Sequence, residues 1–119
     1  MPFNKLLGIR IVRIHKDGVT IRCVVDENTR NGSGALHGGV MATMADAAMG
    51  IGLASHFGGR RPTTTTDLKI NYLRPVVDGK VTARSHIVRV GKHLCVGRVE
   101  IRDAERRLAA AALVTYIRL

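Results

Sequence analysis

The chain has 119 residues, 45% hydrophobic and 3% aromatic, which suits one modestly cored domain over residues 1–119. Its 19 Lys and Arg against 9 Asp and Glu give a net charge of +10, which attracts polyanions: nucleic acid, a membrane surface or a phosphorylated small molecule. With no Trp and so few rings, a stacking platform for single-stranded nucleic acid is not expected.

In chain order, the first 18 residues break their apolar stretches with charge too often for a signal peptide, so a cytoplasmic location is expected. Leu7 to Ile14 and Val19 to Val25 read as a hairpin about Asp17–Gly18. Asn31 to Gly39 follows as a polar, glycine-rich approach to a helix from about His37 to Phe57, closed by Gly58–Gly59. This helix is nearly free of charge: Asp46 is the only ionisable residue between Gly38 and Ser55. Its run approaches membrane-spanning length, but Asp46, His56 and several glycines favour a buried helix in a soluble domain, and no membrane partner is expected. Four strands complete the chain: Thr65 to Tyr72, stopped by Pro75; Val81 to Val90; Leu94 to Arg102; and Leu108 to Arg118. In the first of these, alternation places Thr66, Leu68, Ile70 and Tyr72 on one face and Thr65, Asp67, Lys69 and Asn71 on the other.

The order ββαββββ gives an α+β fold. One apolar helix cannot bury a sheet unless the sheet curls around it, so a six-stranded, bent antiparallel sheet on a central helix is expected. Edge strands of such a sheet favour pairing with a second copy. Arg10, Arg13, Arg22, Arg30, Arg74, Arg84, Arg98 and Arg118 stand singly in different segments and read as solvated faces; Arg60–Arg61 and Arg106–Arg107 are adjacent pairs in loops. Cys23 and Cys95 have no CxxC spacing or nearby His cluster, so reduced core thiols and no metal site are expected.

Chemistry concentrates at two places. Removing an ionised carboxylate from water costs several kcal/mol unless partners compensate, so Asp46 suits a chemical role; the alternative is a structural ion pair with a strand arginine across a subunit interface. Gly38 and Gly39 stand at the helix start, where free N–H groups and the positive end of the dipole can hold an anion or a developing oxyanion; the alternative is a sharp, close-packed turn. Nine residues of ideal helix separate His37 from Asp46 by roughly 13 Å and about 180°. A reaction using both therefore needs two protomers. Thr65 reads either as a hydroxyl near the carboxylate or as one of four β-favouring threonines, and Asn31 as ordinary turn chemistry or a site residue.

Asn31-x5-His37-Gly38-Gly39-x6-Asp46 followed by Thr65-x-Asp67-x4-Tyr72 resembles the hotdog-fold acyl-CoA thioesterases of the phenylacetate-pathway (PaaI-like) type, as do "TDLKINYLRP" and the closing "AAALVTY". The resemblance implies a homodimer or a dimer of dimers that hydrolyses an aromatic or medium-chain acyl-CoA with no separate cofactor. Asp46 would be the general base or nucleophile, Gly38 N–H the donor to the thioester carbonyl, and Asn31 and His37 would orient substrate or water, with Thr65 supporting the water. The substrate would pass Gly39, Asp67, Tyr72 and the loop Arg89, Val90, Gly91, Lys92, His93 and Leu94, with the acyl pocket depending on Met41, Met44, Met49 and Leu53. Two other readings stay open: a hotdog hydratase or dehydratase of acyl thioesters, and a non-catalytic binder of CoA esters or nucleic acid.

Overall fold

A computed structural model describes residues 2–59 and 62–119; the Arg60–Arg61 pair lies outside the described residues. The elements are α1 (Pro2–Leu6), β1 (Arg10–His15), β2 (Gly18–Val24), α2 (Gly38–His56), β3 (Thr63–Tyr72), β4 (Lys80–Val90), β5 (Leu94–Arg102) and β6 (Leu108–Arg118). The one-turn helix α1 was not expected from the sequence: its five residues are too few for a periodic pattern, and Gly8 (φ 72) turns the chain from it into β1.

The strands form one antiparallel sheet in the order β1-β2-β4-β5-β6-β3. The β4–β5–β6 meander fills the middle, while α2 carries the chain from β2 across the sheet to β3 at the far edge. The curled sheet on one long helix is therefore the architecture that the strand count required. Val19, Ile21, Val81, Val99, Ile101 and Val114 point inward from the strands onto Met44, Ala48, Met49 and Leu53 of α2, and all of these are at most 1% exposed. Each such large apolar side chain contributes about 1.5–3 kcal/mol by leaving water.

Two contacts set how the helix lies on the sheet. Gly97 leaves room for Met49, whose Sδ would overlap any Cβ placed there. Ser85, wholly buried, donates its hydroxyl to the Ala48 carbonyl at 2.8 Å and accepts the Val19 N–H at 3.0 Å, so one side chain joins α2, β2 and β4. No helix among the described residues is long and apolar enough to cross a membrane.

The outer face carries most of the single arginines, as expected of solvated strands. Arg84 meets Asp17 at 2.7 Å, His86 Nδ1 lies 3.1 Å from the same carboxylate, and Arg102 meets Glu100 at 3.0 Å. The Arg84 guanidinium holds the Asp17 carboxyl down at about 2, against 3.8 ordinarily. A folded pKa below the unfolded one adds stability that is complete above about pH 4 and lost as the pH falls toward 2. Asp17→Asn should therefore flatten the loss of Tm across that acid window; the effect is small because the side chain is half exposed. Equal pH slopes for the two proteins in a calorimetric series would remove this pair from the acid response.

Four strands, β1, β3, β4 and β6, contain register shifts, and the one in β3 matters for function. Thr65 pairs with Tyr116 and Asp67 with Thr115, so Thr66 is an extra residue. The period-two alternation read from the sequence breaks there. Thr65, placed by simple alternation on the outer face with Asp67, instead points inward with Tyr116.

Candidate active site

The helix that carries Asp46 is less enclosed than its composition suggests. Val40, Met44, Ala45, Ala48, Met49 and Leu53 are buried against the sheet, but Gly39, Ala42, Thr43, Asp46, Gly50 and Ala54 form a stripe along α2 that the chain's own sheet leaves partly open. Apolarity all round therefore reflects small residues on this side and not burial of the whole circumference. Asp46 is half-buried, and the full desolvation expected from the sequence is not imposed within one chain.

Hydroxyl groups, not a guanidinium, hold its carboxylate. Thr65 donates to Asp46 Oδ1 at 2.6 Å, reaching it from β3 because of the bulge. Tyr116 on β6 brings its hydroxyl within 2.8 Å of the same oxygen and 2.9 Å of the Asp46 backbone carbonyl. No ion pair to Asp46 forms within the chain among the described residues. Burial, reinforced by the Asp46 charge, pushes the Tyr116 phenol above its ordinary range and keeps it a donor. The sequence reading missed Tyr116. The signal was present: inward alternation on β6 places a phenol on the helix side, and a buried Tyr hydroxyl needs a partner.

The second cluster lies at the start of α2. His37 is the N-cap, its Nδ1 accepting the Gly39 N–H at 2.9 Å. That bond fixes the neutral ring with its proton on Nε2. Gly39 therefore has no free N–H, which corrects one half of the glycine pair. Among the described residues the Gly38 N–H makes no hydrogen bond, and it remains the open donor at the positive end of the helix. Tyr72 donates its hydroxyl to the Gly38 carbonyl at 2.7 Å, fixing the plane of the Gly38–Gly39 peptide. A Cβ at Gly38 would crowd that ring at 3.2 Å.

Asn31 has its Oδ1 engaged by the Ser33 N–H (3.0 Å), the Ser33 hydroxyl (2.7 Å) and the Ala35 N–H (3.2 Å). Its turn-forming role is thus real, and Asn31 lines an open cleft of about 420 Å³ with Leu36, Gly38, Met41, Tyr72 and Arg74. Of the four side chains assigned to the acyl pocket, only Met41 lines this cleft; Met44, Met49 and Leu53 belong to the core under the sheet.

The other substrate positions fall elsewhere. Gly91, Lys92 and His93 form the β4–β5 turn, closed by Gly91 N–H to Leu94 C=O at 2.7 Å and braced by Arg118, which donates to the Gly91 carbonyl at 3.1 Å. Arg89 and Asp67 face outward, opposite Val96 and Thr115, while Val90 lies half-buried opposite Cys95. The turn neighbours the end of β6 that carries Tyr116, so it adjoins the Asp46 cluster, whereas Tyr72 adjoins Gly38. One chain therefore contains two half-sites. Eight helical residues separate Gly38 from Asp46 by about 12 Å. Thr65 and Tyr72, their strand partners, lie roughly 20 Å apart along β3.

Cys23 and Cys95 are free and buried, and no group of three or more metal-ligating side chains occurs among the described residues.

Comparison with known proteins identifies relatives of the chain. Residues 33–110 match the thioesterase superfamily model. The chain is 32% identical to the medium/long-chain acyl-CoA thioesterase YigI of Escherichia coli, over 98% of this chain and 85% of that protein. The crystal structure of a thioesterase from Haemophilus influenzae superposes with a TM-score of 0.93 at 29% identity, covering 98% of this chain and 82% of that one. The PaaI protein of Escherichia coli, from the phenylacetic acid degradation operon, shares the fold at TM-score 0.91 and 24% identity, over 100% and 85% of the two chains.

Proposed function

The chain is a hotdog-fold thioester hydrolase that belongs to the thioesterase superfamily, and from that premise we propose that it cleaves acyl-CoA to a carboxylic acid and CoA at sites shared by two protomers. The observation that carries this reading is the separation of the two half-sites: a carboxylate steadied by a hydroxyl at one place on α2, and an unpartnered amide at another. Neither suffices alone. A base with no donor for the oxyanion, or a donor with no base, supplies half of an acyl-transfer site.

A two-fold axis between two protomers would resolve this separation. Gly38 and Asp46 are symmetric about Ala42, and the residues between and beside them on the open stripe are small. Two α2 helices crossing near Ala42 would bring Gly38 of one protomer beside the partner's Asp46, twice per dimer. The exposed edge of β3 lies beside this stripe and offers unpaired backbone groups to the same partner.

In the shared cleft the thioester carbonyl would accept the Gly38 N–H at the helix start. Asp46, ionised, would take a proton from water as the water oxygen adds to the carbonyl carbon, or would itself add through its free oxygen. On the first route collapse of the tetrahedral intermediate breaks the C–S bond, and the proton held by Asp46 passes to the departing thiolate. On the second, collapse expels the thiolate and leaves an Asp46 mixed anhydride, which a water then cleaves to free the acid and restore the carboxylate, its proton neutralising the thiolate. The Gly38 amide is worth most while the oxygen is negative, because the dipole and the N–H are already aimed there. Asn31 and His37 Nε2–H border the acyl group, while Lys92 and neighbouring arginines suit the CoA phosphates.

Thiol release across a panel of acyl-CoA esters, medium-chain, long-chain and aromatic, tests the reaction. The expected result is saturable release of CoA thiol from saturated acyl-CoA. Hydration of an enoyl-CoA with no thiol release would replace hydrolysis by hydratase chemistry, and salt-sensitive nucleic-acid binding without either reaction would make the protein a binder.

A further inference from the structure

We propose that Tyr116 is a positioning residue for Asp46, which with Thr65 ties down carboxylate oxygen Oδ1 and leaves Oδ2 as the oxygen that handles the proton. The proposal rests on the preceding reading of Asp46 as the reacting carboxylate. Three elements converge on this one group. Asp46 comes from α2, Thr65 from β3 at 2.6 Å, and Tyr116 from β6 at 2.8 Å, with both hydroxyls directed at the same oxygen. An ionised carboxylate only accepts, so each hydroxyl must donate to it. Among the described residues Oδ2 makes no hydrogen bond, and it lies on the open stripe of the helix.

The helix is built to admit the phenol. Gly50, one turn beyond Asp46, has no side chain, and a Cβ there would fall 2.7 Å from the Tyr116 hydroxyl. Tyr116 itself is 8% exposed and therefore well ordered by its packing. The same hydroxyl lies 2.9 Å from the Asp46 carbonyl, so it registers the residue's backbone as well as its side chain.

Tyr116 would hold the Asp46 rotamer, so that Oδ2 meets water in one orientation. Other charges near this group are few. From β3, Asp67 and Lys69 point outward; from β6, Arg118 is drawn to the Gly91 carbonyl and the Phe57 ring; the inward faces of β2, β4 and β5 offer only the Cys23 and Cys95 thiols. On α2 itself no other ionisable residue lies between His37 and His56.

The test is Tyr116→Phe, compared with the unaltered protein by kcat and KM and, without substrate, by the carbon-13 NMR signal of the Asp46 carboxyl. The expected result is a carboxyl signal that moves and broadens as the fixed rotamer is lost. At neutral pH kcat should fall about tenfold with KM nearly unchanged, as for a group acting only through the reacting carboxylate. Gly50→Ala is the second variant: it keeps the phenol but pushes its hydroxyl away, and the same change of signal and kcat is expected. A folded variant of either kind whose Asp46 signal and kcat both stay in place would overturn the proposal and leave Tyr116 as packing. If the unaltered protein releases no thiol from any acyl-CoA, the hydrolase reading fails, while the carboxyl signal still decides whether Tyr116 positions Asp46.

Discussion

Asp46→Asn should yield a folded protein whose kcat is lower by about two to four orders of magnitude, the range that general-base catalysis supplies. Asparagine matches aspartate in shape, and its amide oxygen can still accept from Thr65 and Tyr116 at the Oδ1 position. What it cannot do is take a proton from water or attack a thioester. The loss should therefore appear in turnover and not in folding, with circular dichroism and Tm close to the parent. The opposite pattern, a lowered Tm with undiminished rate per folded molecule, would make Asp46 a structural residue and end the mechanism proposed for it.

A mixture of two inactive variants should recover activity. Asp46→Asn removes the base. Gly38→Val puts a branched side chain where even a bare Cβ would lie 3.2 Å from the Tyr72 ring, spoiling the amide donor. If each site takes Asp46 from one protomer and Gly38 from its partner, a mixed dimer has one site with both defects and one with neither. Unfolding and refolding the two proteins together in equal amounts makes half of the dimers mixed, so about a quarter of the parental rate should return. Sites contained within single chains predict no recovery at all. The experiment thus separates a shared cleft from a private one without a complex structure.

The strands and the long helix were legible because their patterns are strong: alternation in Val19, Ile21 and Cys23, and an apolar run closed by Gly58–Gly59. The position of β3 at the sheet edge was not legible, since strand order depends on long-range pairing that local periodicity does not encode. At the site, Asp46 could be singled out because a lone charge among methyl groups is conspicuous in any sequence. Its surroundings could not. The sequence reports composition along α2, but only the fold shows which side the sheet covers and which stays open. His37 drew attention as a possible orienting group, and the structure adds a local duty, capping α2 through the Gly39 N–H. Tyr116 was overlooked because seventy residues separate it from the side chain that it touches.

The bulge at Thr66 gives the β3 strand a half-period phase shift, and the hydroxyl that reaches the carboxylate depends on it. The requirement is arithmetic: one surplus residue must stand between Thr65 and Asp67, whatever its side chain. Exchanges at position 66 should thus be forgiven where a one-residue deletion is not, because deletion would restore strict alternation and turn either the site hydroxyl or the whole distal strand over. In this protein a count of residues, more than the chemistry of one, preserves the aim of the site.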